Sequence, residues 1–131
     1  MTIILFLVVL AVLIFVHELG HFLAAKKLGI RVDEFALGFP PRIFGKRYGE
    51  TVYTLNAIPF GGFVKLLGED AHDPKVLKDK RSFASQSARV RVLVVVAGVL
   101  MNFLLALVLL TVGFAFGMQP LILSSEDVLS N

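Results

Sequence analysis

Residues 3–25, IILFLVVLAVLIFVHELGHFLAA, form an apolar run in which the only ionisable side chains are His17, Glu18 and His21. The run is long enough to cross a bilayer as one helix, for which about 20 residues are needed. Ionisable groups inside such a helix are costly, about 2.5–3.5 kcal/mol for a charged side chain on insertion scales, and they are functional by default. This stretch therefore predicts a transmembrane helix with a chemical site inside it.

The three polar residues have the spacing of the H-E-x-x-H motif. On a helix, positions i and i+4 share a face, so both imidazoles can bind one metal ion. Zinc lowers the pKa of a bound water towards neutrality, and a neighbouring carboxylate can take the proton as that water attacks a carbonyl. We therefore expect His17 and His21 to be zinc ligands and Glu18 to be the catalytic general base. The alternative is that these polar residues only pack against another helix.

The composition of the 131-residue chain also indicates a membrane protein. Apolar residues make up 56% and charged residues 18%, against about 45–50% and 25% in soluble domains. A second apolar run extends from Val92 to Met118 and is again long enough to span a bilayer. Because there is no cysteine, disulfides and thiolate metal ligands are excluded.

The distribution of positive charge predicts the topology. All 13 Lys and Arg lie between Lys26 and Arg91. The positive-inside bias places residues 26–91 in the cytoplasm and both termini outside, so the basic character of the chain does not require a nucleic-acid partner. A cleaved signal peptide is an alternative for the first run, but its basic residues would precede the apolar core, whereas here they follow it.

Between the two runs, β-branched, aromatic, Gly and Pro residues predict three or four short strands. Their expected turns are Phe39-Pro40-Pro41, Gly45-Lys46, Tyr48-Gly49 and Gly61-Gly62. The predicted fold is a membrane protein, mainly α, with two transmembrane helices and a cytoplasmic-side β-hairpin segment between them. Its expected parts are helix 1 with the motif (1–25), a β-rich cytoplasmic or re-entrant loop (26–67), a polar loop and amphipathic helix (68–91), helix 2 (92–118) and an external tail (119–131).

Several further stretches resemble the site-2 proteases, the intramembrane zinc metalloproteases, and most closely their bacterial branch, which regulates sigma factors. The resemblance extends from residue 3 to about residue 117. Its motifs are Glu34-Phe-Ala-Leu-Gly-Phe39 with Pro41, Ile58-Pro-Phe-Gly-Gly-Phe-Val-Lys-Leu-Leu-Gly-Glu69, Arg81-Ser-Phe-Ala-Ser-Gln-Ser87 with Arg91, and Ala97-Gly98 with Asn102-Phe103.

The resemblance implies an intramembrane zinc endopeptidase of the bacterial cytoplasmic (inner) membrane. Its cofactor would be Zn²⁺, and its substrate a single-pass transmembrane protein, such as an anti-sigma factor, already trimmed by another protease. It also implies that Asn102, Gly61 and Gly62 line the substrate cleft; for Asn102 the alternative is an interhelical hydrogen bond. The resemblance further implies that the β-hairpin segment is membrane-dipping near the zinc, where it could bind an unwound substrate by strand addition; the alternative is that these strands only cap the cytoplasmic face.

Three departures from the family pattern matter: the first concerns an expected local kink in the second span, and the other two concern the expected activity. Val99 stands where the family usually has proline, and the family's third zinc ligand, an Asp in an L-D-G motif of a later helix, is not in these 131 residues, nor is the PDZ domain of the closest relatives. We therefore expect a fragment or truncated reading frame that is inactive alone. His72, Glu126 and Asp127 are weak candidates for a replacement ligand, because His72 lies in a polar loop and the two acids follow the second span.

Two other functions remain open at this stage. One is a non-catalytic membrane fragment or homologue that acts by helix contact, and the other is a small membrane anchor whose motif arose by chance. The G-x-x-x-G of Gly113–Gly117 is a weak signal for helix pairing, and the oligomeric state is undetermined.

Overall fold

The structure, a computed structural model, describes residues 1–70 and 73–117. Predictions made for His72, Glu126, Asp127 and the tail 119–131 lie outside the described residues. The elements in chain order are α1 (Thr2–Lys27), β1 (Val32–Tyr48), β2 (Thr51–Leu66), α2 (Pro74–Leu77) and α3 (Ala88–Ala115). Two long helices therefore flank one paired β unit.

Helices α1 and α3 are both long and apolar enough to cross a membrane. Only 6% of the most apolar stretch of α1 and 11% of that of α3 is buried within the chain. The core helix of a soluble protein is mostly buried, whereas these helices expose large apolar side chains along most of their length. Such a contiguous apolar surface requires a partner other than water.

The two helices pack closely where a glycine removes a side chain. A Cβ at Gly20 of α1 would collide with the backbone carbonyl of Ala97 in α3 and lie 2.8 Å from the Met101 side chain. Helix α3 continues without interruption through Val99. Valine keeps the backbone N–H that proline lacks, so the helical hydrogen bonds can be maintained at this position.

Strands β1 and β2 form an antiparallel two-stranded sheet, but each strand is bent and contributes two paired segments. Residues 42–48 pair antiparallel with 51–56, and residues 32–37 pair antiparallel with 62–66. From Glu34↔Val52 to Leu37↔Leu55 the residue numbers of both partners increase together, which is parallel pairing. Residues 32–37 therefore also lie alongside 51–55, in the same direction. The expected short strands therefore exist as four segments of two continuous strands.

Of the four predicted turns, only Tyr48-Gly49 is a turn between the two strands. The chain reverses at Gly49, whose φ of 62° is in the left-handed region, between Tyr48 and Thr51. Gly45-Lys46 is not a turn, because these residues pair with Thr54 and Tyr53. The remaining two signals, at Phe39-Pro40-Pro41 and Gly61-Gly62, fall inside β1 and β2, where the register is irregular.

A small apolar core joins the sheet to the C-terminal end of α1 and the start of α3. Its buried members are Ala25, Ile30, Val32, Leu66 and Val94. Backbone hydrogen bonds also link the segments around this core. Arg31 N–H donates to Arg81 O (3.0 Å), Leu67 N–H to Arg31 O (2.9 Å) and Phe83 N–H to Leu67 O (2.7 Å). The base of the sheet is thus fixed to both helices.

The segment 68–91 differs from the predicted polar loop and amphipathic helix. Its helical part before α3 is the four-residue α2, which Asp73 caps by accepting a hydrogen bond from Lys75 N–H at 2.9 Å. Turns follow, fixed by side-chain bonds such as Arg81 N–H to Asp79 Oδ1 at 2.8 Å. Side-chain acceptors that bond nearby backbone groups favour turns over a continuing helix.

Glu50, next to the hairpin turn, links three parts of the chain. Its Oε1 accepts hydrogen bonds from Lys26 Nζ at the end of α1 and from Arg81 Nη2 before α3, each at 2.7 Å. The Arg81 guanidinium, followed by the Lys26 ammonium, lowers the pKa of Glu50 from 4.5 to about 2. The same ion pair raises the pKa of Arg81.

Candidate active site

Helix α1 brings His17 and His21 together on one face. Their Nε2 atoms lie 3.1 Å apart, and the ring centroids are separated by 4.7 Å with the planes nearly perpendicular. This follows from the i, i+4 spacing, which places one side chain above the other along the helix. Both rings therefore present a nitrogen to the same small region.

The other nitrogen of His21 is fixed by α3. His21 Nδ1 lies 2.7 Å from the backbone carbonyl oxygen of Val94, a residue that is 2% exposed. A carbonyl can only accept, so Nδ1 carries the proton and the lone pair of a neutral ring is on Nε2. A metal-ligating histidine usually has its second nitrogen bonded to such a partner, which orients the ring.

Gly98 allows the α3 backbone to reach the imidazoles. A Cβ at this position would lie 2.8 Å from His17 Nε2 and would collide with His21 Nε2. Only hydrogen fits at this distance. The two helices are therefore in close contact at the histidines, with Gly20 on α1 and Gly98 on α3.

The geometry of the two nitrogens fits a zinc ion. With Zn–N bonds of about 2.0–2.1 Å and tetrahedral angles, two ligating nitrogens are about 3.3 Å apart, close to the 3.1 Å between the Nε2 atoms. Within residues 1–70 and 73–117, however, no group of three or more His, Asp or Glu is placed to hold a metal. The described part of the chain thus supplies two metal ligands, His17 and His21.

Glu18 lies beside the histidines and faces two cavities. One, of about 210 Å³, is also lined by His17, Gly61, Gly62 and Asn102. The other, of about 250 Å³, includes His21, Phe83 and Glu69 among its lining residues. Gly62 of β2 allows the sheet to lie close to α1, because a Cβ at this position would lie 2.9 Å from Glu18 Cγ.

Asn102 of α3 has a buried carbonyl oxygen that no group within residues 1–70 and 73–117 pairs with. Its Oδ1 makes no hydrogen bond to the described residues, and the residue lines the same cavity as His17 and Glu18. Leaving a buried acceptor unpaired costs about 1–3 kcal/mol, so such an atom in a cleft indicates a ligand or water donor. The structure therefore places Gly61, Gly62 and Asn102 together with Glu18.

Two site features were not predicted from the sequence. The Val94 carbonyl carries no side-chain signal, and Gly98 was noted only as part of a motif. For Gly98 a signal was available: its spacing of four residues from Asn102 places both on one face of α3, which indicates that the helix presents a flat surface to the histidines.

Comparison with known proteins gives the family. Residues 5–128 match Peptidase family M50, which is almost the whole chain. This chain belongs to peptidase family M50. Members of M50 are membrane proteases, in agreement with the two apolar helices.

Individual relatives carry protease names. The chain is 49% identical over 109 residues to "Putative zinc metalloprotease CPE1693" of Clostridium perfringens, covering 83% of this chain and 31% of that protein. It is 50% identical over 80 residues to zinc metalloprotease RasP of Geobacillus kaustophilus (61% of this chain, 18% of the relative). Identity is 45% over 82 residues to the regulator of sigma-W protease RasP of Bacillus subtilis (63% and 19%).

The matched region thus spans less than a third of the length of these M50 relatives. Their names imply zinc as the family's metal, and the two imidazoles described above are compatible with it. The M50 match over residues 5–128 includes H-E-L-G-H, both strands and α3.

Proposed function

We propose that this chain is the N-terminal catalytic portion of an intramembrane zinc metalloendopeptidase that hydrolyses peptide bonds in transmembrane segments. The observation that carries the proposal is the convergence of His17 and His21 Nε2 at 3.1 Å, beside Glu18, on a helix whose surface is mostly apolar and exposed. A polar triad at this position serves a reaction at membrane depth.

In this proposal each residue has a role that follows from its position in the site. His17 and His21 would hold the metal through Nε2, and the Val94 carbonyl keeps the His21 ring in the required tautomer. A bound zinc ion supplies Lewis acidity at the scissile carbonyl and lowers the pKa of water towards 7. Glu18 takes a proton from the attacking water and delivers it to the leaving amine nitrogen.

Asn102, Gly61 and Gly62 position the substrate in this proposal. The unpaired Asn102 Oδ1 accepts a hydrogen bond from a backbone N–H of the substrate, which relieves the cost of the buried acceptor. The two glycines leave room between β2 and Glu18. An unwound substrate would bind by adding a strand at the sheet edge.

We infer that the sheet contacts the bilayer and that residues 26–91 are cytoplasmic. Several large apolar side chains in the middle of β1 and β2 are about half exposed or more, namely Phe39, Ile43, Phe44, Leu55, Ile58 and Phe60. All 13 basic residues lie between Lys26 and Arg91, as the positive-inside bias requires. The location would be the cytoplasmic (inner) membrane, with no nucleic-acid partner.

The proposed substrate is a single-pass transmembrane protein of the anti-sigma-factor type. Support comes from the Bacillus subtilis relative, whose name is regulator of sigma-W protease. The alternative of a non-catalytic protein acting by helix contact is less favoured, because the relatives carry protease names. In addition, Gly117 of the G-x-x-x-G lies beyond the end of α3, so the motif does not form a helical face.

The test is Glu18→Gln in the protein expressed from its native gene. General acid–base catalysis is worth about 10²–10⁴-fold, so cleavage of a synthetic transmembrane substrate should fall by that factor. Because Glu18 is not a ligand, zinc content should stay nearly unchanged, whereas His17→Ala and His21→Ala should lower both. Retention of most activity in Glu18→Gln would remove Glu18 from the role of general base.

A further inference from the structure

A third cavity lies next to the cleft, between α1 and the bent part of the sheet. It has a volume of about 130 Å³ and is lined by Ala11 and Ile14 of α1 and by Leu37, Leu55 and Pro59 of the sheet, with Gly61 at the boundary. Ile14 and Gly61 also line the cleft of His17, Glu18 and Asn102. The two spaces are therefore neighbours along the face of α1 that carries the motif.

The cavity is mostly apolar because most of its lining side chains are aliphatic. Asn56 lines it, but its Nδ2 donates to the Gly38 carbonyl at 2.9 Å, and the residue is only 7% exposed. Gly38 and Gly61 have φ values of 79° and 122°, which bend the two strands around the space. At Gly61 a Cβ would also collide with the Phe39 ring.

The size of the cavity corresponds to one branched or aromatic side chain. An apolar protein cavity of about 150 Å³ binds benzene, so about 130 Å³ suits Val, Leu or Ile and approaches the limit for Phe. Along α1, the midpoint between Ala11 and Ile14 is about five residues, or about 7.5 Å, from the His17–Glu18 pair. In an extended substrate at about 3.3 Å per residue, this is about two residues from the scissile bond.

We propose that this cavity is a specificity subsite, which takes an aliphatic side chain of the transmembrane substrate located within two residues of the cleaved bond. The inference rests on the proposed function and adds its determinant of sequence preference. The occupant is a substrate side chain because the cavity adjoins the catalytic cleft, with Ile14 and Gly61 lining both, and because transmembrane segments are themselves apolar.

The cleavage test uses two variants that change the volume in opposite directions. Ala11→Leu fills the cavity and Leu55→Ala enlarges it. Synthetic transmembrane substrates carry Ala, Leu or Phe at each of the two residues on either side of the cleavage site. A methylene or two in an apolar pocket discriminates by about tenfold or more. At one position the parent should prefer Leu over Ala by that factor, Ala11→Leu should abolish the preference, and Leu55→Ala should shift it towards Phe.

Matched controls are Ala106→Leu and Leu104→Ala, two exposed positions of α3 that line none of the cavities described above. They should leave the preference unchanged. If Ala11→Leu and Leu55→Ala lower cleavage of all substrates equally, or leave the Leu/Ala ratio at the parent value, the subsite does not exist.

A binding measurement separates this proposal from the catalytic one. In the Glu18→Gln background, a substrate with a diazirine analogue of leucine at the preferred position is photolysed, and the adduct is mapped by mass spectrometry. Adducts should fall on residues 11–14 and 55–59, and should be lost in Ala11→Leu but not in Ala106→Leu. Adducts confined to lipid or to α3 would overturn the subsite even if zinc-dependent cleavage is found. Conversely, the mapped adducts would support it if cleavage fails.

Discussion

At the scale of single residues, the packing of the site depends on the absence of a side chain at Gly98. Because Gly98 has no Cβ, the α3 backbone can lie against the rings of His17 and His21. Elsewhere in a helix, replacing glycine by alanine stabilises by about 1 kcal/mol. At this position the added methyl would displace both rings, so the expected sign is the opposite.

We therefore predict that Gly98→Ala weakens zinc binding and activity together. Changes in groups that orient metal ligands typically cost 10–100-fold in affinity or activity, and the same range is expected here. Zinc affinity is measured by competition with a chelator in the protein from its native gene. Val99→Ala, an exposed neighbour on the same helix, is the control. Parent-like zinc affinity in Gly98→Ala would mean that the rings can move aside freely.

The residues of the site differ in how far the sequence could predict them. His17, Glu18 and His21 were identified because their chemistry is carried by side chains at a fixed spacing. The Val94 carbonyl was not, since a backbone acceptor has no residue-type signal. Asn102 was assigned to the substrate cleft only by resemblance, because the sequence cannot show that its oxygen is buried without a partner among residues 1–70 and 73–117.

At the scale of elements, Glu50 connects the hairpin turn to the ends of both long helices. Its lowered pKa means that the carboxylate is favoured in the folded state. Above its ordinary pKa of 4.5 the ion pairs with Arg81 and Lys26 contribute in full, and the contribution is lost as the pH falls from 4.5 towards about 2. Since the side chain of Glu50 is 31% exposed, the contribution is modest.

We predict that Glu50→Gln lowers the thermal stability of the detergent-solubilised protein at pH 7 by a few degrees at most. The difference from the parent should remain constant down to about pH 5 and disappear as the pH approaches 2. Melting curves at several pH values measure it. Asp70→Asn, which changes an exposed acid that makes no ion pair with residues 1–70 or 73–117, is the control. A pH-independent difference would show that Glu50 acts by packing.

Element boundaries show where local sequence signals were insufficient. The apolar runs indicated α1 and α3 directly, because length and hydropathy decide such helices. In the sheet, Gly45-Lys46 has turn residues yet lies in a paired strand, since its cross-strand partners Thr54 and Tyr53 determine the conformation. Residues 68–87 carry helix-forming charges but lack an apolar stripe, and side-chain bonds to the backbone favoured turns.

At the scale of the whole molecule, the proposed topology gives a labelling pattern. The chain contains no cysteine, so single cysteines report position without background. Thr2→Cys should react with a membrane-impermeant thiol reagent added outside the cell, and Lys78→Cys should react only after the membrane is opened. Reaction of both from the outside would contradict a cytoplasmic 26–91 segment.

A second whole-molecule prediction concerns residues 1–131 expressed alone. Catalytic zinc sites usually have three protein ligands, and the described residues place two. Because even outer-shell partners are worth 10–100-fold, zinc should bind more than about 100-fold more weakly than at a three-ligand site, and no zinc-dependent cleavage should be detectable. Assays in liposomes test this. Cleavage that Glu18→Gln abolishes would mean that a third ligand lies within the 131 residues.

The bent pairing of the sheet also has a consequence for biosynthesis. Residues 32–37 lie between 51–55 and 62–66, and both neighbours are made later than they are. During translation, the hairpin around Gly49 can close as soon as residue 56 has emerged, because its contacts are local. Residues 32–37 must wait with one edge unpaired until residue 66 is available. Long-range pairing is the slow step of such folds. The order of synthesis therefore makes the pairing of residues 32–37 with 62–66, beside the active site, the last part of the sheet to form.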